Sequence, residues 1–216
     1  NMNGFGYNKD LPSNLRAFKD VYIFQGNSVA DGEINGGIGY WDILKPGHGT
    51  GFKSDGKTNT LSDRFGLELT FAKKMQEFFP EDKIALIKYA REGTSIDSLA
   101  AGNFGCWDAD FNGKRGVNQY DHFLTTLKNA LKEKDIDKNG RADELIMSGI
   151  LWMQGEGDAS YNEEIANNYY SHLKTLMNQM RAALLTDDLP VVIGKISDSG
   201  KNNSGRVWEM GELIQF

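Results

Sequence analysis

Short apolar runs alternate along the chain with segments in which apolar residues recur every three or four positions. Runs rich in β-branched and aromatic residues predict buried strands, and the spaced pattern predicts amphipathic helices. The predicted strands are residues 20–26, 83–90, 145–153 and 189–196. The first predicted helix is capped by Ser62 or Asp63 and ends at Pro80. The other predicted helices are residues 120–134, 163–185 and 205–216. Residues 31–63 are rich in glycine, aspartate, lysine and threonine and predict a long loop.

Strand alternating with helix is typical of an α/β fold in which helices cover both faces of a mainly parallel sheet. The run 145–153 is nearly continuous in apolar residues, which predicts a central strand covered on both faces. A chain of 216 residues is interpreted as a single domain, residues 1–216. Because the last predicted helix still has an apolar face to cover, we expect this domain to lack its C-terminal segment.

Composition excludes several classes of function. The formal net charge of −6 argues against nucleic acid as a partner. No run approaches the roughly 20 apolar residues of a membrane helix, so no membrane span is expected. A lone cysteine, Cys106, excludes an internal disulfide and a zinc site built from cysteines. The chain opens at Asn1 without a recognisable leader, so its location is not readable from these features.

Polar and glycine-rich segments follow three of the predicted strands. Gln25-Gly26-Asn27-Ser28 follows the first, a stretch around Gly93 follows the second, and Gln154-Gly155-Glu156-Gly157-Asp158 follows the third. Because parallel strands end at one edge of a sheet, these segments are expected to converge. A serine hydroxyl beside preorganised N–H donors suits acyl transfer, with Ser28 as nucleophile and Gly93 and Gln154 as oxyanion donors.

These segments carry a family resemblance. IFQGNSVADG, FGLELTFA, IKYAREGTSI and GILWMQGEGDA resemble, in this order, the blocks of the SGNH-hydrolase esterases grouped as sialate O-acetylesterase-like proteins and carbohydrate esterase family six, which includes acetylxylan esterases. The similarity runs from about residue 21 to residue 196. It implies a three-layer α/β/α, flavodoxin-like fold and a serine esterase that removes O-acetyl groups from carbohydrates without a required cofactor. It also favours a secreted or periplasmic location.

The resemblance assigns a role to each matching position. Ser28 matches the nucleophile, Gly93 and Gln154 match the oxyanion donors, and Glu156 and Asp158 match acidic residues that brace the pocket. We expect Asn27, Glu156, Asp158 and Trp107 to contact substrate. Tyr40 and Trp41 are further aromatic candidates for a carbohydrate platform, whereas Trp152 is explained by its strand.

The chain departs from the family pattern in two places. In the first block, Asn27 replaces the usual glutamine and Val29 the usual asparagine. In addition, none of His48, His122 and His172 follows an aspartate by three residues, although the family's general base stands in an Asp-x-x-His block. We expect that block beyond residue 216. The alternative is a non-catalytic carbohydrate-binding protein on the same scaffold.

Plainer interpretations stand beside these. Ser28 could cap a helix, Gly93 could serve only a turn, and Gln154 with Glu156 could form a structural polar network. Glu156 and Asp158 could serve glycoside hydrolysis, but carboxylates two residues apart rarely bracket a sugar. His48 is interpreted as a solvated loop residue or substrate contact, with a stand-in base as the lesser alternative.

An acidic turn resembles the first part of a calcium loop. Asp135, Asp137, Asn139 and Asp143 stand at spacings typical of calcium ligands, with Gly140 at the sixth position. The twelfth position holds Ile146 instead of the bidentate glutamate. The pattern predicts either a structural calcium ion or a simple Asp/Asn-rich turn.

Overall fold

The computed structural model describes residue 4, residues 6–113 and residues 116–196. The chain divides into two compact units. The first unit comprises Asn1–Arg91 and Asp121–Leu145, and the second comprises Glu92–Tyr120 and Ile146–Phe216. The predicted helix 205–216 lies outside the described residues.

The described residues form a mixed α/β structure with small sheets. The helices are α1 (Glu68–Phe78), α2 (Gln119–Lys132), α3 (Glu156–Ala159) and α4 (Glu163–Ala183). The strands are β1 (Gly6–Tyr7), β2 (Val21–Gln25), β3 (Asp42–Ile43), β4 (Lys53–Ser54), β5 (Asn59–Thr60), β6 (Arg64–Phe65), β7 (Ile84–Lys88), β8 (Ile150–Trp152) and β9 (Val191–Ile193). Short 3-10 helices occur at Asn8–Asp10, Ser13–Leu15 and Ser98–Ala100.

The first unit is built on the parallel pair of β2 and β7. Their register runs from Val21 opposite Ile84 to Gln25 opposite Lys88, and β3 pairs antiparallel with the other edge of β2. Helix α1 adds Leu69 and Ala72 to a core that includes Val21, Ile23 and Leu44. Burying these side chains contributes on the order of 1.5–3 kcal/mol for each large aliphatic residue. The predicted strands 20–26 and 83–90 are confirmed within one to two residues at each end.

Helix α1 begins later than the sequence pattern predicts. Its first residue is Glu68, whose carboxylate accepts a hydrogen bond from the amide of Gly66 at 2.7 Å. The predicted cap is wrong, since the Ser62 hydroxyl donates to the carbonyl of Gly47 at 3.2 Å. A serine in a glycine-rich loop competes for nearby backbone groups, and the tertiary contact prevails over local capping.

The second unit pairs β8 with β9 in parallel and holds the longest helix. Asn162 caps α4 by accepting from the amide of Ile165 at 2.9 Å. The buried face of α4 confirms the predicted stripe and consists of Ile165, Ala166, Tyr169, Leu173, Leu176, Met177 and Met180.

The predicted strand 145–153 is only partly correct. The strand is confined to β8, and Ile146 is 80% exposed, so the first half of the run is not covered on both faces. Leu145 packs instead against the cluster of Phe24, Trp41, Ala130 and Ile136 in the first unit. The apolar residues of this run therefore pack in two different places, Leu145 against a cluster of the first unit and the β8 residues in the second unit.

Two parallel pairs, β2 with β7 and β8 with β9, are present, but one mainly parallel sheet in a three-layer fold is not confirmed. Among the described residues the strands form four small sheets, and three of the five ladders are antiparallel.

The helices of the described residues include none with the length and apolar character of a membrane span.

Candidate active site

The Ser28 segment leaves the end of β2 in the first unit as a tightly held turn. The amide of Gly26 donates to the carbonyl of Lys88 at 3.0 Å, and the amide of Asn27 donates to that of Ile38 at 2.9 Å. A Cβ atom at position 26 would stand 2.0 Å from Oγ1 of Thr126, so only glycine fits there. These contacts leave the side chain of Ser28 half-buried at the end of the strand.

Asn27 holds a neighbouring loop. Its Nδ2 donates to the carbonyl of Ser54 at 2.7 Å, and its Oδ1 accepts from the amide of Ser54 at 2.8 Å. The residue is buried. The side chain is therefore engaged within the protein, which does not fit the predicted contact with substrate.

His48 is buried, so its interpretation as a solvated loop residue is wrong. Its ring stacks on Phe52 with centroids 4.9 Å apart, and its Nδ1 lies 3.0 Å from Oε1 of Gln25. Burial, together with the nearby cations Lys88 and Lys45, lowers the pKa of His48 to about 3. The imidazole is neutral near neutral pH, and because Gln25 offers an acceptor, Nδ1 carries the proton.

Gly93 presents its backbone in the second unit. It adopts a φ of +68°, a conformation that glycine reaches without strain, and it is exposed. A Cβ atom at this position would lie 2.7 Å from Cδ2 of Phe104. Among the backbone hydrogen bonds of the described residues there is none from the Gly93 amide, so this N–H can donate to a ligand.

Gln154 follows β8, and both the nitrogen and the oxygen of its side-chain amide form hydrogen bonds. Its Nε2 donates to the carbonyl of Thr94 at 2.9 Å and to Oδ2 of Asp158 at 2.7 Å, and its Oε1 accepts from the hydroxyl of Tyr169 at 3.2 Å. Both N–H hydrogens of the side chain therefore have acceptors within the second unit. Tyr169 is a supporting residue that sequence reasoning missed, because its position on the apolar stripe of α4 explains it as core.

Asp158 connects the Gln154 segment to the turn that follows Gly93. The carboxylate is fully buried and accepts hydrogen bonds from the amides of Ile96 at 3.0 Å and Asp97 at 2.9 Å, besides that from Gln154. Burial raises the pKa of the Asp158 carboxyl, and the N–H donors oppose this rise. Glu156, two residues earlier, is exposed at the start of α3. Asp158 thus joins these segments from within the protein, which does not fit the predicted contact with substrate.

A family model described as carbohydrate esterase, sialic acid-specific acetylesterase, matches residues 50–215, more than half of the chain. The chain belongs to this family. The match includes Gly93, Gln154, Glu156 and Asp158 and begins after Ser28, so the role of Ser28 depends on its motif alone.

Similarity to a solved structure supports the fold of this carbohydrate esterase family member. A protein from Arabidopsis thaliana, with an X-ray structure at 1.6 Å resolution, is 18% identical to it. The similarity covers 92% of this chain and 71% of the plant protein, with a TM-score of 0.59. At this identity the likeness shows the fold alone. No curated protein matches the chain significantly.

Two of the three aromatic residues expected to form a carbohydrate platform, Trp107 and Trp41, are buried in this esterase family member, whereas Tyr40 is half-buried. Trp107 is only 5% exposed, its Nε1 donates to Oγ1 of Thr94 at 3.1 Å, and its ring packs edge-on against Trp152. Trp41 is buried as well. Phe104, in contrast, is 39% exposed beside Gly93. Trp107 therefore braces the turn after Gly93 from inside the protein.

Gly157 permits the close approach of the two segments that Asp158 joins. A Cβ atom at position 157 would lie 2.6 Å from the carbonyl oxygen of Thr94. We expect Gly157→Ala to lower the free energy of unfolding by about 1–3 kcal/mol, because the backbone must shift to relieve this overlap. Gly102→Ala is the control, since a Cβ atom there meets nothing within 4 Å. Urea unfolding of both variants measures the difference, and equal losses would contradict the steric argument.

The buried imidazole of His48 predicts a pH dependence of stability. Its pKa is about 3 in the folded protein against 6.5 for an exposed histidine, so the unfolded chain binds more protons between these values. The contribution of the neutral His48 to the free energy of unfolding is therefore present above pH 6.5 and is lost as the pH falls towards 3. Between pH 7 and pH 5, wild type should lose about 2 kcal/mol more unfolding free energy than His48→Phe. Denaturant unfolding at both pH values checks this, and parallel losses would refute it.

The acidic turn in the first unit brings three predicted calcium ligands together. One carboxylate oxygen from each of Asp135, Asp137 and Asp143 lies within 4.8 Å of the others. The ammonium of Lys83 lies 2.5 Å from Oδ2 of Asp137 and lowers the pKa of that carboxyl. The side-chain Oδ1 of Asn139 accepts from the amide of Arg141 at 2.9 Å. Backbone amides and one lysine thus already bind these carboxylates within the protein.

Proposed function

We propose that this protein is a serine esterase that removes O-acetyl groups from carbohydrates, with Ser28 as its nucleophile. The observation that carries the proposal is membership of a carbohydrate esterase family through residues 50–215. The proposed N–H donors to the oxyanion are the backbone amide of Gly93, an exposed residue, and the side-chain amide of Gln154. An acetylxylan or a sialic acid acetate is the expected class of substrate, and no cofactor is required.

The proposed reaction has two steps. The Ser28 hydroxyl gives its proton to the general base and its Oγ adds to the acetyl carbonyl carbon. The bond from that carbon to the sugar oxygen breaks as this oxygen takes the proton from the base, and water then hydrolyses the acetyl-serine to acetate and free serine. The oxyanion would accept from the amide of Gly93 and from Nε2 of Gln154, which must give up its bond to Thr94 or Asp158 to donate. Ser28 belongs to the first unit and the two donors to the second, so their convergence is part of the proposal.

The general base is proposed to be an Asp-x-x-His block beyond residue 216. None of His48, His122 and His172 has this spacing. His48 is neutral, but it is buried and its Nδ1 is engaged with Gln25. An unassisted serine hydroxyl is a weak nucleophile near neutral pH, so the base is essential to the proposal.

Acetate release tests this function. The full-length protein is incubated with acetylated xylan, with an O-acetylated sialic acid and with the deacetylated form of each. We expect acetate from at least one acetylated substrate, at a rate proportional to enzyme concentration. No release from either substrate, nor from a simple aryl acetate, would refute the esterase proposal.

The alternative is a non-catalytic carbohydrate-binding protein, and one observation favours it. Both N–H hydrogens of the Gln154 side chain already have acceptors, Thr94 and Asp158, so this amide serves structure in the arrangement described. Calorimetric titration with acetylated oligosaccharide separates the two functions. Binding without acetate release supports the alternative, and release of acetate excludes it.

Structural calcium in the acidic turn remains a prediction. If Asp135, Asp137 and Asp143 bind calcium, millimolar calcium should raise the melting temperature by several degrees, because a ligand bound only by the folded state stabilises it. Asp137→Ala should abolish the rise, and Asp110→Ala, an exposed aspartate outside the turn, should keep it. An unchanged melting temperature in wild type would contradict the prediction. Differential scanning fluorimetry with calcium and with a chelator measures both.

A further inference from the structure

An ion pair is buried in the first unit beneath the Ser28 segment. Lys88, the last residue of β7, and Glu68, the first residue of α1, are each only 4% exposed. Nζ of Lys88 lies 2.9 Å from Oε2 of Glu68, and the same ammonium donates to the carbonyl of His48 at 2.5 Å. The other oxygen of Glu68 accepts from the amide of Gly66 at 2.7 Å. The pair is thus well hydrogen-bonded at both ends.

Stability alone does not account for this pair. Removing two charges from water costs several kcal/mol, and replacing a buried ion pair by apolar residues of similar volume is often neutral or stabilising. The elements β2 and α1 carry apolar core residues, Ile23 and Leu69. The two charges are therefore better explained by the geometry that they impose on the groups they bind than by the stability that they add.

The contacts of the pair lead to the Ser28 turn by two routes. Through the backbone, Lys88 stands opposite Gln25 in the ladder, and its carbonyl accepts from the amide of Gly26 at 3.0 Å. Through side chains, the Lys88 ammonium fixes the carbonyl of His48, and Nδ1 of His48 lies 3.0 Å from Oε1 of Gln25. Both routes reach residues that lead directly into Ser28.

We propose that the Glu68–Lys88 ion pair, acting through His48 and Gln25, positions the turn that presents the Ser28 nucleophile. The inference rests on the proposed function of Ser28 and adds three positioning residues, Glu68, Lys88 and His48. The ammonium is a directional anchor because it binds a carboxylate on α1 and a loop carbonyl at once. An apolar side chain in its place would fill the same volume without fixing the His48 loop to β7.

The first test separates positioning from stability. In the double variant Glu68→Gln with Lys88→Met, the charges are lost together, volume is kept, and the glutamine can still accept from Gly66. In the full-length protein we expect a melting temperature within a few degrees of wild type. We also expect at least a tenfold slower labelling of Ser28 by a fluorophosphonate probe, and a lower kcat with little change in KM. Labelling at the wild-type rate would overturn the inference.

A second pair of variants decides the matter if the double variant does not fold. His48→Phe keeps a ring against Phe52 but removes the N–H donor to Gln25, whereas His48→Asn can place an amide N–H near the position of Nδ1. We expect slow labelling of Ser28 in His48→Phe and partly restored labelling in His48→Asn. Equal labelling rates in these two variants would overturn the inference. Wild-type protein that takes no label at Ser28 would instead contradict the proposed function, and this inference with it.

Discussion

Replacing Ser28 by alanine is expected to remove acetate release completely at ordinary enzyme concentrations. Without Oγ no acyl-enzyme can form, and the loss of a serine nucleophile in hydrolases costs on the order of 10⁶ in kcat. Ser28 is half-buried in a turn held by hydrogen bonds of Gly26 and Asn27. The substitution removes one oxygen atom from this turn, so the fold and the binding of acetylated sugar should persist.

Three measurements on the same samples check this prediction. They are acetate release, intact mass after brief exposure to a fluorophosphonate, and calorimetric binding of an acetylated oligosaccharide. Wild type should gain one adduct that Ser28→Ala lacks, and both should bind the sugar. Ser98→Ala is the control, because Ser98 is exposed and lies in a short 3-10 helix of the second unit. Full activity in Ser28→Ala would disprove the nucleophile assignment.

Asp158→Ala is expected to have the largest effect on stability, about 3–5 kcal/mol. The carboxylate accepts from two backbone amides, of Ile96 and Asp97, and from the side chain of Gln154. Removing it leaves these donors buried without an acceptor, and each unsatisfied group costs about 1–3 kcal/mol. The loss also frees Gln154 from one of its two acceptors, so acetate release should fall in the fraction that remains folded.

Glu156→Ala provides the matched control in the same segment. Glu156 is exposed at the start of α3, so its replacement should change the unfolding free energy by less than about 0.5 kcal/mol. Urea unfolding of both variants, followed by tryptophan fluorescence, measures the difference. A loss below 1 kcal/mol in Asp158→Ala would mean that water or a rearranged side chain satisfies the donors, contrary to the bracing role.

The regular elements follow from the sequence where a periodic pattern meets a single environment. The stripe of α4 matches prediction because its apolar residues share one buried face. The strands β2 and β7 match because their apolar residues pack within the first unit alone, in the clusters around Ile23 and Phe24. The run 145–153 fails because Leu145 is partly buried in the first unit and Trp152 is buried in the second. A pattern of apolar residues reports burial but does not say against which partner the side chains are buried.

The candidate site, like the fold, was predictable from the sequence only in part. The sequence and its motifs indicated Ser28, Gly93, Gln154 and Asp158 as a set, and the family match includes the last three. They did not indicate that Asn27 and Trp107 are engaged within the protein. A lysine within the apolar run of β7 was a detectable signal of a buried partner, since lysine is rarely buried alone.

By itself, the sequence determined the helices α2 and α4, the strands β2, β7 and β9, the polar segments that follow the predicted strands and the family blocks, because periodicity and motif spacing are local properties. Only the tertiary structure decided which polar groups are already engaged. Gln154 meets Thr94 across 60 positions of sequence, and Lys88 meets Glu68 across 20. Such partners are chosen by packing, because a buried donor or charge must find its acceptor wherever the fold brings one within hydrogen-bond distance.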